Sequence, residues 1–233
     1  MCGQVMRYAV AHGLSERNSA ADIKPSDVLK PAKKTNHARL GEKELPVLLR
    51  KIDEYGTPLT RFALQLMALT FVRTSELIGV RWDEIDTDAK QWRIPAERMK
   101  MKSLHIVPLS DQAIDILTKI KNLSADDILL FPSERRDGKS MSNNTILYAL
   151  YRLGYHSRMT GHGFRGIAST ILHEQGFNHD HIELQLAHAQ RDAVSAAYNH
   201  ALYLEPRTKM MQHWADYMDK LKAGADVIPF RVA

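Results

Sequence analysis

The sequence predicts a mainly α-helical fold that carries a small antiparallel β-sheet, an α+β architecture. Apolar residues recur with helical spacing over most of the chain, for example over residues 42–55 and 143–151. Between residues 82 and 109 the pattern changes to short strand-like segments separated by polar turns. The 233 residues suffice for one domain with a closed core, with or without an appended piece.

The composition is that of a globular protein with an affinity for polyanions. Hydrophobic residues make up 44% and charged residues 25% of the chain, and the net charge is +5. A positive charge favours nucleic-acid partners, although many basic proteins bind none. No apolar run approaches the roughly 18 residues that span a bilayer, and the N-terminus lacks a secretory pattern. The single cysteine, Cys2, excludes an internal disulfide and suits a reducing compartment.

The first forty residues are predicted to form one helix and a linker. The helix covers residues 2–12 and ends at Gly13. It has no N-cap residue, so we expect it to be the end of a larger N-terminal part. Two prolines and the pair Lys33 and Lys34 follow, which indicates a linker on or near DNA, although a solvated loop explains each lysine equally well.

The main domain is predicted to begin near Leu40 with two helices. The second runs from residue 58 to about residue 72, is apolar enough to be buried, and delivers Arg73 at its end. Glu76 lies three residues later and can orient that guanidinium. Arg81 and Glu84 repeat the spacing, so the pair is not specific by itself.

The predicted sheet consists of strands over residues 82–85, 91–94 and 104–107. Lys100 and Lys102 occupy the turn between the last two strands. A mobile hairpin tip of this kind can place an ammonium group against DNA, although a merely solvated tip has the same sequence.

Three further features precede the most distinctive stretch. They are a helix over residues 112–122, a short buried segment over residues 128–131, and a basic loop with Arg135, Arg136 and Lys139. The loop is either a contact to a nucleic-acid backbone or an ordinary soluble loop.

The stretch Thr160-Gly-His-Gly-Phe-Arg165 carries the strongest chemical signal. Thr160 is predicted to cap a helix on which His162 and Arg165 share a face, and free N–H groups at a helix start favour an anion. His188 and Arg191 repeat the spacing, so it needs support from other residues.

Three more helices and a tail are predicted after this stretch. The helices cover residues 180–188, 192–201 and 205–221, and the second carries Tyr198. The apolar tail, residues 227–230, is expected to dock on its own domain or on a neighbouring subunit.

These residue types together suit catalysis of an attack on a phosphodiester. Negative charge builds on the non-bridging oxygens, and arginine suits them because it stays protonated and offers a planar fork, so Arg73 and Arg165 are candidates. His162 can contact the phosphate or accept the proton of the nucleophile.

The nucleophile candidate is Tyr198. An unperturbed tyrosine has a pKa of about 10, so it needs a base or a cationic setting. Lys100 can protonate the leaving 5′ oxygen, and His188 can hydrogen-bond the phosphate or support the site.

The ordered set of motifs resembles the tyrosine recombinase (phage integrase) family, most of all the branch carried by satellite phages and genomic islands. The motifs are Arg73-Thr-Ser-Glu-Leu77, Lys100 before the Ile-Val-Pro108 strand, Gly161-His-Gly-Phe-Arg165, Leu186-Ala-His188 and Tyr198-Asn-His200. The resemblance covers roughly residues 40–220. Two departures are Phe71 and Ala187, which stand where the family commonly has glycine.

The resemblance implies the tyrosine recombinase catalytic-domain fold and a role for each matching residue. The implied catalytic shell is Arg73, Lys100, His162, Arg165 and His188, with Tyr198 as nucleophile and Glu76 in support. Candidate DNA-binding residues are Lys102, Arg135, Arg136 and Lys139. The implied domains are the end of a core-binding domain at residues 1–30, a linker at 31–39, the catalytic domain at 40–223 and a tail at 224–233.

The implied function is site-specific recombination of a prophage or genomic island through a covalent 3′-phosphotyrosyl intermediate, without a cofactor. The implied partners are double-stranded DNA at attachment sites, further copies of the chain, expected as a tetramer on DNA, and accessory DNA-bending or excision factors, but no membrane. The expected location is the bacterial cytoplasm, at the nucleoid.

Three alternatives remain open at this point. A type IB topoisomerase shares the same chemistry without exchanging DNA partners. A DNA-binding regulator would have no need for all six groups. Seven histidines between residues 156 and 200 could suggest a metal site, but their spacing matches no metal motif.

Overall fold

The computed structural model describes residues 2–22, 40–124, 126–135, 137–188 and 203–224. The chain divides into two compact units, residues 1–36 and 37–233. In the first unit, helix α1 (Cys2–Ala11) stops at Gly13, whose φ of 68° is left-handed, as the sequence predicts. No residue of α1 is buried.

The second unit is built mainly from helices around one hydrophobic core. The helices are α2 (Leu45–Asp53), α3 (Pro58–Thr70), α4 (Thr74–Ile78), α5 (Asp111–Leu123), α6 (Asn143–Leu150), α7 (Gly161–Glu174), α8 (His179–Gln185) and α9 (Leu204–Ala223). The predicted mainly helical α+β class is confirmed. Among the described residues, no helix is both long and apolar enough to cross a membrane.

The sheet has three antiparallel strands in the order β1 (Ile85–Asp86), β2 (Gln91–Ile94) and β3 (His105–Pro108). The prediction of a first strand over residues 82–85 was wrong for most of its length, because residues 82–84 form a 3₁₀ turn. The backbone N–H of Trp82 donates to the carbonyl of Ile128, 3.0 Å away, which draws this segment out of the sheet.

Helix α3 lies at the centre of the core, as its apolar sequence predicts. Phe62, Leu64 and Met67 are buried, and α3 packs against α2, α5, α6 and α9. The indole N–H of Trp214 on α9 donates to the carbonyl of Ala68, 2.9 Å away. This contact ties the last helix to the central one.

Two predicted helix ends were wrong, and both lie next to the candidate site. Helix α3 ends at Thr70 and does not carry Arg73, because Phe71 turns left-handed with φ 40° and ψ 33°. Helix α8 ends at Gln185 instead of residue 188, because Ala187 has a φ of 47°. The predicted helix over residues 192–201 and the tail at 227–230 lie outside the described residues.

Candidate active site

Arg73 forms the start of helix α4 and is held by Glu76. Its backbone N–H donates to Glu76 Oε2 at 2.9 Å, and its Nη1 donates to Glu76 Oε1 at 2.7 Å. The Glu76 side chain is only 2% exposed. The similarly spaced Arg81 and Glu84 do not pair, since Arg81 contacts Asp83 and Glu84 is bound by a different arginine.

Arg165 is buried among backbone carbonyls on helix α7. Its Nη1 donates to the carbonyl of Phe71 at 2.8 Å, and its Nη2 donates to the carbonyl of Leu186. The helix begins as predicted, with the Thr160 hydroxyl accepting from the N–H of Gly163 at 3.3 Å. A guanidinium carries five N–H groups, so these two bonds leave three for other acceptors.

Burial and, to a smaller extent, the positive charge of Arg73 together lower the pKa of Arg165 to about 10. The carboxylates of Glu76 and Glu183 oppose this change. Arg165 therefore remains a cation at neutral pH, next to a second cation. Two neighbouring guanidinium groups that repel each other form a site prepared for an anion.

The turn after helix α8 contacts both arginines. The carbonyl of Ala187 accepts from Nη2 of Arg73 at 3.1 Å, and the preceding carbonyl, of Leu186, accepts from Arg165. Phe71 and Ala187 are both left-handed, a conformation that costs a residue other than glycine about 1–2 kcal/mol. At both of these positions the family commonly has glycine, and glycine would relieve the backbone strain.

We expect Phe71→Gly to lower stability and Ala187→Gly not to lower it. Phe71 is fully buried and its ring packs edge-on against Trp214, with ring centres 6.0 Å apart. Phe71→Gly should lower the free energy of unfolding by about 2–4 kcal/mol, since lost packing exceeds relieved strain. Ala187→Gly should leave it unchanged or raise it by up to about 1 kcal/mol. Urea denaturation of both variants measures this, and a destabilised Ala187→Gly would contradict the strain argument.

His188 is oriented by a carboxylate that the sequence reasoning missed. Its Nδ1 lies 2.8 Å from Oε2 of Glu183, five residues earlier. Since the carboxylate can only accept, Nδ1 carries the proton and Nε2 is the nitrogen left to contact a ligand. The signal was available in principle, because histidines at working sites commonly hydrogen-bond a carboxylate through their other nitrogen.

The remaining predicted site residues are exposed or are not among the residues that the structure describes. His162 is exposed on the first turn of α7, three residues before the buried Arg165. Lys100 is exposed in the connection between β2 and β3, as predicted. Lys102 shares that connection, and its Nζ donates to the carbonyl of Glu97 at 3.4 Å. Tyr198, Arg191 and Arg136 are not among the described residues.

The basic loop between α5 and α6 lies on the surface of the second unit. Arg135 and Lys139 are exposed, and the N–H of Ser133 donates to the carbonyl of Lys139 at 2.8 Å to close the loop. Arg135 lines a cavity of about 440 Å³ near the starts of α3 and α6.

Gly161 allows helix α7 to approach the Arg73 helix. A Cβ atom at this position would lie 2.5 Å from Oγ1 of Thr74 and 3.0 Å from Sδ of Met67. The missing side chain therefore lets the segments that carry the two arginines pack directly together. The sequence placed Gly161 in a motif without revealing this reason.

Arg207 on α9 is a second buried arginine that the sequence reasoning missed. It is 0% exposed, donates to the carbonyl of Ile106 and to Oε1 of Gln185, each at 2.6 Å, and burial lowers its pKa to about 10. It thus joins β3, α8 and α9. No short motif marks it, because its role depends on three elements that are distant in sequence.

Four of the described histidines between residues 156 and 188 contact a neighbouring aromatic or histidine ring. His156 packs on Tyr151, His181 packs on Tyr203, and Nε2 of His173 lies 3.0 Å from Nδ1 of His179. Within the described part of the chain, no three or more metal-ligating side chains come together.

Comparisons with known proteins agree with the motif pattern. The phage integrase family model matches residues 38–205. An integrase of Enterobacteria phage P4 is 43% identical over an alignment that covers 92% of this chain and 52% of the relative. The prophage integrase IntA of Escherichia coli strain K12 is 40% identical, with coverages of 97% and 54%. The chain thus spans about half the length of these curated relatives.

Solved structures share the fold at low sequence identity. The integrase from mycobacterium phage Brujita superposes with a TM-score of 0.60 at 16% identity, over 97% of this chain and 75% of that structure. A lambda integrase dimer bound to a COC′ core site gives 0.58 at 20% identity, over 85% and 57%. The predicted tyrosine recombinase catalytic-domain fold is confirmed.

Proposed function

The chain belongs to the phage integrase family, and we propose that it cleaves and rejoins DNA at specific sites to integrate or excise a prophage or genomic island. The observation that carries this proposal is the buried Arg165 beside Arg73, both held by backbone carbonyls. Arg165 is buried, Arg73 is half-buried, and among the described residues Glu76 pairs directly only with Arg73, so a further bound anion would relieve the repulsion between the two guanidinium groups. A DNA phosphate supplies that anion.

The proposed reaction replaces one phosphodiester by another. The phenol oxygen of Tyr198 attacks the phosphorus, the bond to the 5′ oxygen breaks, and the DNA 3′ phosphate becomes attached to tyrosine. Arg73 and Arg165 neutralise the charge that builds on the non-bridging oxygens. The new bond conserves the energy of the old one, so a 5′ hydroxyl can reverse the reaction without ATP.

Three side chains handle protons and hydrogen bonds in this scheme. His162 contacts the phosphate or accepts the proton of Tyr198. His188, with a proton on each ring nitrogen, donates through Nε2 to the phosphate while Nδ1 donates to Glu183, which orients the ring. Lys100 protonates the departing 5′ oxygen. Glu76 keeps Arg73 in position. The scheme uses no cofactor.

The proposed partners are double-stranded DNA at attachment sites and further copies of the chain, as a tetramer on DNA. DNA binding is supported by solved neighbours that are complexes with DNA, such as the lambda integrase dimer on its core site and the Tn1549 transposon integrase with circular-intermediate DNA. Lys102, Arg135, Arg136 and Lys139 are the proposed backbone contacts. We also propose that accessory DNA-bending or excision factors assist the reaction and that the protein is located at the bacterial nucleoid.

The domain assignment is also proposed. Residues 1–30 form the end of a core-binding domain, residues 31–39 a linker, and residues 40–223 the catalytic domain. The tail at 224–233, with its apolar residues 227–230, contacts a neighbouring subunit. The family model over residues 38–205 supports the catalytic part.

The test uses a supercoiled plasmid that carries two copies of the element's attachment core. We expect recombinant junctions, detected by amplification across the new joint. Relaxed circles without junctions would indicate a topoisomerase, and binding without either product would indicate a regulator. Either result would overturn the proposed strand exchange.

A further inference from the structure

We infer that Arg98 is a positioning residue that anchors the connection carrying Lys100 to the helix carrying Arg73. This inference rests on the proposed function and deepens it. Nη1 of Arg98 contacts the carboxylate of Glu84, and its Nη2 donates to the carbonyl of Glu76 in helix α4. One guanidinium therefore joins the 3₁₀ turn before β1 to the helix whose start presents Arg73.

Glu84 and Gly79 both accommodate the guanidinium group of Arg98. Glu84 is 7% exposed and its Oε2 also accepts from the indole N–H of Trp92 at 3.0 Å. At Gly79, directly after α4, a Cβ atom would lie 3.0 Å from Nη2 of Arg98. The absent side chain leaves room for the guanidinium against the end of the helix. Arg98 is also the residue that takes the place of Arg81 as the partner of Glu84.

The anchor acts two residues before Lys100. Met99 is 2% exposed, and its carbonyl accepts from the N–H of Lys102 at 3.1 Å, which closes a tight turn with Lys100 at its second position. Residues 96–98 form a 3₁₀ turn immediately before it. Lys100 thus extends from a tight turn whose first residue, Met99, is buried.

A leaving-group substitution separates this role from a general structural one. In a DNA substrate whose 5′ bridging oxygen is replaced by sulfur, the leaving group is a thiolate, and thiols ionise near pH 8.5, so no general acid is needed. A defect that acts through Lys100 should therefore disappear on the sulfur substrate. A defect that acts through Arg73 should persist on both substrates.

The experiment measures the rate of covalent adduct formation on the oxygen and the sulfur substrates. Arg98→Met should slow the oxygen reaction by about tenfold or more, and Lys100→Met by about 10²–10⁴-fold. On the sulfur substrate, both variants should react at a rate within about threefold of the wild-type rate, because the leaving group needs no general acid. Arg93→Met, which removes an equal charge from an exposed position on β2, should match the wild type on both.

A double variant controls for misfolding caused by an unpaired buried carboxylate. Arg98→Met/Glu84→Gln removes the buried carboxylate together with its partner, keeps the net charge, and leaves an acceptor for Trp92. It should show the same rescue by sulfur. Equal slowing of the Arg98 variants on both substrates, or no slowing on oxygen, would overturn the inference, as would a Lys100→Met defect that sulfur does not rescue. Wild-type adduct formation reports separately on the proposed function.

Discussion

Arg165→Lys is expected to lower the rate of DNA cleavage by about 10³–10⁵-fold, the range seen when an arginine that stabilises a phosphoryl-transfer transition state is lost. The guanidinium of Arg165 spans the carbonyls of Phe71 and Leu186 and still has donors for a phosphate. A lysine ammonium is a single point donor group and cannot keep this fork geometry. DNA affinity should change little, because the positive charge is retained.

The lysine variant should also acquire a new pH dependence. Burial and the neighbouring Arg73 lower the pKa of Arg165 to about 10. The same surroundings would lower the pKa of a lysine at this position below its ordinary value. Residual cleavage depends on the cation, so it should fall as the pH rises through that lowered pKa.

The measurement is single-turnover cleavage from pH 6 to 9, together with DNA binding at each pH. Arg81→Lys, at an exposed arginine paired with Asp83, is the matched control and should retain the wild-type rate. A wild-type rate for Arg165→Lys would contradict the assignment of Arg165 to the phosphate.

Gly161→Ala is expected to destabilise the protein by about 1–3 kcal/mol, the usual cost of overpacking a close contact. The added Cβ would lie 2.5 Å from Oγ1 of Thr74, so helix α7 must move away from the Arg73 segment. The direction is diagnostic, because alanine is ordinarily the better helix former by about 1 kcal/mol. Cleavage should fall as well, since the two arginines would no longer share one phosphate.

A second substitution identifies the clash as the cause. Thr74→Ala removes Oγ1, so the Gly161→Ala/Thr74→Ala variant should recover much of the lost stability and cleavage. Gly56→Ala is the control, because nothing lies within 4 Å of a Cβ at that position. Purely additive effects of Gly161→Ala and Thr74→Ala on urea denaturation would show that the close approach is not what matters there.

Local sequence signals were sufficient for the helices and for the residues of the site that lie close together in the chain. The Thr160 cap, the buried character of α3 and the Arg73–Glu76 pair all depend on neighbours within one or two helical turns. Hydrophobic spacing and capping rules describe such short-range geometry well.

The features that were missed depend on contacts between distant segments. Phe71 and Ala187 are ordinary helix residues by propensity, yet both turn left-handed where their segments contact the arginines. Arg98 and Arg207 acquire their roles from carbonyls that the chain reaches only after folding, 22 and 101 residues away respectively. No spacing rule contains that information.

The central claim is that Arg73 and Arg165 hold a DNA phosphate for attack by Tyr198, and a nicked suicide substrate tests it most directly. We expect a covalent protein–DNA adduct without added divalent metal, with the 3′ phosphate on Tyr198 in a peptide map, and no adduct with Tyr198→Phe. An adduct that persists in Tyr198→Phe, or one that forms only with divalent metal, would contradict the account.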